Sequence, residues 1–279
     1  MKKMATMLAI ASYLACNSPE TKVPAADTLA KKHTDTTATL HGDNLVKAEA
    51  PDAGSEMEQG YCLPRGGNGK MQSPINILTS EAGKDDQKGM IVKFQTDIVG
   101  AENLGHTVQL DFKEGSICMA DGKTYNSKQF HFHTPSEHLI DGMTFPMEMH
   151  IVNTLKDSTP NAKPSYLVIG ILFKMGKENK FIKEFLKDLP SEEGHKDSIP
   201  SGSVNLNDLA NEVVKSGKIS YFSYDGSLTT PPFSESVKWV VIKQIVEASP
   251  DQIIAIEKLE GNNARHVQSV NGRKIVSHS

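Results

Sequence analysis

The segment Gln129-Phe-His-Phe-His133 alternates polar and aromatic residues with a period of two. In a strand, side chains two apart share a face. His131 and His133 therefore point one way, with Phe130 and Phe132 behind them. Two imidazoles roughly 7 Å apart along a strand can chelate one ion if a neighbour supplies a third ligand. Met147-Glu148-Met149-His150 offers that ligand in matching phase. The segment between contains Pro135, Asp141-Gly142 and Pro146, a turn-rich composition that suits antiparallel pairing. Three histidines with no cysteine or carboxylate fit a catalytic zinc site whose fourth position is left to water. Spacing alone leaves a plain surface or packing pair open as well. The chain has ten histidines in 279 residues. Five of them (His106, His131, His133, His138 and His150) fall within about 45 residues, which is where chemistry is expected.

Composition removes several other classes. A net charge of −4 gives no strong basic field, so nucleic acid or an acidic membrane is a poor match as the main partner. Three cysteines are too few for a disulfide-dense scaffold or an all-cysteine zinc site. One Trp and 6% aromatics argue against a stacking platform for sugars or bases. With 38% hydrophobic residues the chain can bury a core.

The N-terminus reads as an export signal over residues 1–16. Lys2 and Lys3 precede an apolar run, Met4–Ala15, that is too short to span a bilayer. Ala15-Cys16 follows the lipoprotein pattern, in which Cys16 is lipidated, although Tyr13 stands where Leu is usual. A plain secretory signal cut nearby is the other reading. Residues 17–58 contain no aromatic residue and show no sustained apolar period, so they are expected to be a flexible tether. His33 and His41 lie there and are expected to be solvated. Residues 59–279, about 220 residues, are expected to form one domain.

That domain reads as mostly β with peripheral helices. Ser116–Met119, Gln129–His133, Met147–Asn153, Tyr166–Phe173 and Ser236–Val246 read as strands. Lys180–Leu189 has helical spacing stopped by Pro190, and Asn207–Lys215 reads as a second helix. Ser249-Pro-Asp-Gln252 opens a third helix, with an N-cap Ser, an early Pro and Gln three residues on, running to Glu260 and ended by Gly261. Helices scattered among strands argue against a doubly wound parallel fold.

Five motifs occur in one order: Gln72-Ser-Pro-Ile-Asn-Ile77, Gln129-Phe-His-Phe-His133, Pro135-Ser-Glu-His138, Glu148-Met-His150 and Ser227-Leu-Thr-Thr-Pro-Pro232. Together, from about Gly60 to about Val276, they resemble the α-class carbonic anhydrases of bacteria. The resemblance implies one domain around a large, mainly antiparallel twisted sheet. It also implies reversible hydration of carbon dioxide to bicarbonate and a proton by a zinc-bound hydroxide.

Carried over by position, His131, His133 and His150 resemble the Zn2+ ligands. Gln129 and Glu148 resemble the outer partners that orient ligand imidazoles, and Asn263 resembles a further one acting through its backbone. Glu137 and Thr229 resemble an acid–hydroxyl pair, in which the Thr oxygen orients the nucleophile and its N–H holds the carbonate oxygen. Thr230 lines the same side. Leu228, Val152, Val168, Val237 and Trp239 resemble the apolar wall where carbon dioxide docks; without the family they are ordinary core. His106 resembles a proton-shuttle histidine, with a surface strand histidine as the other reading. His138 is out of phase with the triad and is expected to be a hydrogen-bonded structural residue. His195 and His266 carry no such support.

Several positions depart from the family. Its aromatic-rich N-terminal strand is absent before Tyr61, and Leu104 replaces a usual Asn, which thins the proton-wire network. Phe233 replaces a Cys, so the common disulfide to the position of Cys62 cannot form. Cys62 with Cys118, or two free thiols, are the remaining possibilities. His266 replaces a usual Pro. A non-catalytic carbonic-anhydrase-like binding or surface protein would be favoured by loss of a ligand histidine, and all three are present. A zinc peptidase would need a His-Glu-x-x-His helix, which this sequence lacks. The expected location is the periplasm or cell envelope, with a possible membrane tether through Cys16; monomer and homodimer stay open.

Overall fold

A computed structural model describes residues 69–85, 92–120, 122–156, 165–214 and 218–279. The signal, the tether, Cys16, Cys62 and the first residues assigned to the domain lie outside the described residues.

The strands are β1 (Asn76–Ile77), β2 (Gly83–Lys84), β3 (Lys93–Gln95), β4 (Ile98–Asn103), β5 (Val108–Phe112), β6 (Ile117–Ala120), β7 (Lys123–His133), β8 (Leu139–Ile140), β9 (Met147–Leu155), β10 (Tyr166–Met175), β11 (Lys196–Ser198), β12 (Tyr221–Gly226), β13 (Val237–Ile242), β14 (Val246–Ala248) and β15 (Val276–His278). The helices are α1 (Lys180–Phe185), α2 (Leu206–Val213) and α3 (Pro250–Glu260), and a 3-10 turn over Leu186–Asp188 follows α1. The larger sheet runs β11-β4-β5-β7-β9-β10-β13-β12-β15-β2, with β3, β6 and β14 paired beside that path. It is mixed. Most neighbours are antiparallel, while β13 and β14 run parallel to β10 and β2 runs parallel to β15.

The two faces of the sheet do different work. Period-two alternation sends Phe130, Phe132, Met149, Ile151, Ile169 and Ile171 to one face, where Phe181, Phe185, Ile253 and Ile256 of the helices pack on them. The opposite face carries Val152, Val168, Tyr224, Val237, Trp239 and Val241, covered by Ile75 and Ile77. Each aromatic in Gln129-Phe-His-Phe-His133 is thus an anchor on the helix side and each imidazole a group on the other. Phe130 sits 5.6 Å from Phe181 and 5.7 Å from Phe185, ring to ring, geometry typical of favourable aromatic pairs.

The central strands and the helices fall where periodicity places them. α3 has the expected capping box: Ser249 accepts from Gln252 N, and the Gln252 side chain accepts from Ser249 N. Two expectations change. The helix after Asn179 turns 3-10 at Leu186, because Pro190 ends the segment and Leu189 is already extended. Ser236–Val246 is two strands, broken at Lys243, which leaves the ladder so that its ammonium reaches Ser277 Oγ and His278 O.

Candidate metal centre

β7 and β9 are antiparallel neighbours, and their register sets His131 directly opposite His150. A register shift between Ser127 and Gln129 brings Gln129 opposite Val152. Gln129, His131 and His133 therefore share a face with Glu148, His150 and Val152. The three imidazole rings lie 5.0, 5.3 and 4.6 Å apart, centroid to centroid. One nitrogen from each falls within 4.8 Å of the others.

The outer partners select which nitrogen faces inward. His131 Nδ1 donates to Gln129 Oε1 at 2.8 Å, leaving Nε2 for the centre. His150 Nε2 donates to Glu148 Oε1 at 2.9 Å, leaving Nδ1. Both nitrogens of His133 are buried with no hydrogen-bond partner, and so is Glu137 Oε2. A buried polar atom without a partner costs roughly 1–3 kcal/mol. A cation held by one nitrogen of each ring removes that cost at one nitrogen of His133, so the residues present fit a zinc ion of three-histidine type.

Electrostatics agree. Burial holds His131 well below the ordinary imidazole range and brings His133 down to about 4. Burial also lowers His150, against the raising effect of Glu148. All three are thus neutral, the form a metal needs. Burial alone would raise Glu148, yet His138 and His150 hold it well below the carboxylate range. Its Oε2 accepts the backbone N–H groups of Glu137 and His138 at 2.9 and 2.8 Å. His138 bridges Glu148 and Tyr224, at 2.7 Å to each, which is the structural role expected of it. Gly170 sits opposite His150, and a Cβ there would meet Glu148 Oε1 at 2.9 Å, so glycine keeps space for this carboxylate.

Glu137 Oε1 accepts the Arg265 backbone N–H at 2.9 Å. Burial raises its pKa, and Thr229 is among the groups that lower it. Thr229 is buried in the loop between β12 and β13, with Thr230 and Leu228 partly exposed beside it. Trp239 lies 4.8 Å from His150, ring to ring, and its Nε1 donates to Ser227 O at 2.9 Å. Val152, Val168, Val237 and Trp239 form one buried apolar cluster with Leu228 packed against it.

His106 occupies the half-buried turn between β4 and β5, the strand beside β7. Its Nδ1 lies 3.0 Å from Leu104 O, and burial lowers its pKa. The Asn263 side chain is engaged as well as its backbone. Its Nδ2 donates to the carbonyls of His106 and Phe132, at 2.8 and 3.1 Å, and its Oδ1 accepts from Thr134 N. Among the described residues Cys118 is a free, buried thiol, pushed up to about 12 by burial.

Arg265 carries more than the motif around it suggests. Its guanidinium lies 3.9 Å from the Phe233 ring and donates to Gln72 Oε1 and Ser73 O. Gln72 in turn donates to Phe233 O. The loop bearing Thr229 is thereby held at Phe233.

The eukaryotic-type carbonic anhydrase family matches residues 60–279. The carbonic anhydrase of Neisseria gonorrhoeae is 32% identical over 248 residues, covering 86% of this chain and 90% of that protein. Among solved structures, the α-carbonic anhydrase of Thermovibrio ammonificans with sulfanilamide is 35% identical, at a TM-score of 0.67 over 75% of this chain and 87% of that one. A carbonic anhydrase of Chlamydomonas reinhardtii with acetazolamide is 30% identical, at a TM-score of 0.68 over 81% and 100%. The chain belongs to the α-type, that is eukaryotic-type, carbonic anhydrase family. It is an enzyme of that class, a carbonic anhydrase.

Proposed function

We propose that the chain hydrates carbon dioxide reversibly to bicarbonate and a proton at a zinc ion held by His131, His133 and His150. The observation that carries this is the convergence of three neutral imidazoles, two with their outer nitrogens tied to Gln129 and Glu148, and the third buried without a partner. Zinc, when bound, supplies the Lewis acidity that brings the pKa of water from 15.7 to about 7.

The chain's own residues supply the rest. Glu137 accepts the proton of the Thr229 hydroxyl, so that the Thr oxygen can only accept from the nucleophile and aims it. The Thr229 N–H holds a carbonate oxygen, and Thr230 lines the same side. Val152, Val168, Val237, Leu228 and Trp239 exclude water and offer carbon dioxide, which has no net dipole, an apolar wall. His106 takes the proton from the site to buffer. Its lowered pKa keeps it in the accepting form at neutral pH.

The same proposal places the mature chain in the cell envelope, tethered through a lipidated Cys16. A mature N-terminus whose mass shows cleavage beyond Cys16 would remove that part. The catalytic part is tested by stopped-flow hydration of carbon dioxide with Thr229→Ala alongside. Zinc-loaded wild-type protein should be fast and the variant slow. Zinc-loaded wild type at the buffer rate would overturn the reading.

A further inference from the structure

Glu260 closes α3 with no exposed surface. Its Oε2 lies 3.4 Å from Thr107 Oγ1 and 3.4 Å from Val108 N, and its Oε1 lies 3.2 Å from Thr134 Oγ1. Each threonine hydroxyl has a second, shorter contact. Thr107 Oγ1 is 3.0 Å from Phe132 O, and Thr134 Oγ1 is 2.9 Å from Gly261 O.

Proton counting decides the state of this cluster. A hydroxyl has one proton to give, and a backbone carbonyl can only accept. The shorter contacts take the two hydroxyl protons, which go to Phe132 O and Gly261 O. The Thr134–Glu260 contact then joins two oxygens with no proton between them, unless the carboxyl supplies it. Glu257 on α3 is the titratable group that acts on Glu260, while His106 and His133 are the chain neighbours of Thr107 and Thr134. Burial raises the Glu260 pKa to about 8, and Glu257 pushes the same way. No ion pair is made to Glu260 among the described residues.

We propose that Glu260 is a neutral carboxylic acid that donates to Thr134 Oγ1, and so acts as a positioning residue locking the turn that carries His106 to the strand end that carries His133. Thr107 follows His106 and Thr134 follows His133, so one buried acid spans both. Asn263, three residues on, ties the same two segments through the carbonyls of His106 and Phe132. The consequence for turnover rests on the roles given above to His106 and the triad; the protonation state does not.

Two readouts on the zinc-loaded full chain test this. The infrared difference between wild type and E260Q at pH 7 should show a protonated-carboxyl band in wild type that fades as pH rises through about 8. E260L, which has no donor, should lose about tenfold in kcat with less change in kcat/KM, below the 10²–10⁴ typical of the proton-transfer group itself. E260Q, which keeps a donor and an acceptor, should restore kcat. Absence of the band overturns the neutral acid even where E260L fails to fold. A band with kcat in E260L equal to wild type overturns the positioning role. If His106→Ala also leaves kcat unchanged, the shuttle assignment has failed, and the band then still supports the neutral acid.

Discussion

Glu137 Oε2 lies 3.6 Å from His133 Nε2, and neither atom has a hydrogen-bond partner although both are buried. An acid and a base side by side, each unmet, make sense when a further group sits between the elements that carry them. Ion pairing within the pair is opposed, because burial lowers the His133 pKa to about 4 and raises that of Glu137.

Zinc should therefore stabilise the fold. Its binding relieves a buried unmet nitrogen and adds mass-action stabilisation of about 4 kcal/mol at a thousandfold excess over Kd. Calorimetry of chelated and zinc-loaded protein should show a higher melting temperature with zinc. His133→Ala should abolish the difference.

Glu148 fixes His150 and His138 at once and receives two backbone N–H groups. Glu148→Gln should weaken zinc affinity by roughly 10–100-fold, the usual range for such outer partners. Competition with a chromogenic chelator measures this. The loss should exceed that of Gln129→Ala, because Gln129 has one partner in the cluster and Glu148 has four.

In the proposed mechanism Thr229 aims the nucleophile and is not a metal ligand. Thr229→Ala should keep one zinc per chain and lower kcat/KM by about 10²-fold, comparable to losing one oriented hydrogen-bonding group. Metal analysis beside stopped-flow rates separates the two effects.

His106 has a burial-lowered pKa. The accepting neutral form should therefore persist below the ordinary imidazole pKa, and kcat should fall only at lower pH. The linked stability has the same sign. A depressed imidazole pKa costs stability as pH falls below the unfolded value near 6.5, since the unfolded chain then binds the proton more readily. His106→Ala should lower kcat and flatten its pH profile, with added imidazole restoring the rate.

Glu260 gives the opposite sign. Its folded pKa of about 8 exceeds the ordinary 4.5, so its stability contribution is greatest below pH 4.5 and is lost as pH rises to about 8. The melting temperature of E260Q should gain on wild type across that window and run parallel above it.

The site was legible in the sequence because strands alternate. Once Gln129–His133 is a strand, His131, His133, Phe130 and Phe132 have their faces assigned, and Glu148 and His150 follow in the next strand. The capping box at Ser249 was legible for the same kind of local reason. Val108–Phe112 alternates as clearly, but it entered only through the structure, as the strand that places the His106 turn beside β7. Arg265 and Glu260 were not legible. Their roles come from contacts with residues more than a hundred positions away, Gln72 and Thr134 among them. No period or spacing encodes such a meeting, and a glutamate at a helix end reads as a solvated cap until its burial is seen.

The central claim is that three histidines hold one zinc on which turnover depends, and titration of chelated protein with zinc tests it most directly. Hydration of carbon dioxide should rise in proportion to added zinc and stop at one equivalent, with no rise in His131→Ala. A rate that is unchanged by chelation, or one that survives in His131→Ala, would contradict the account.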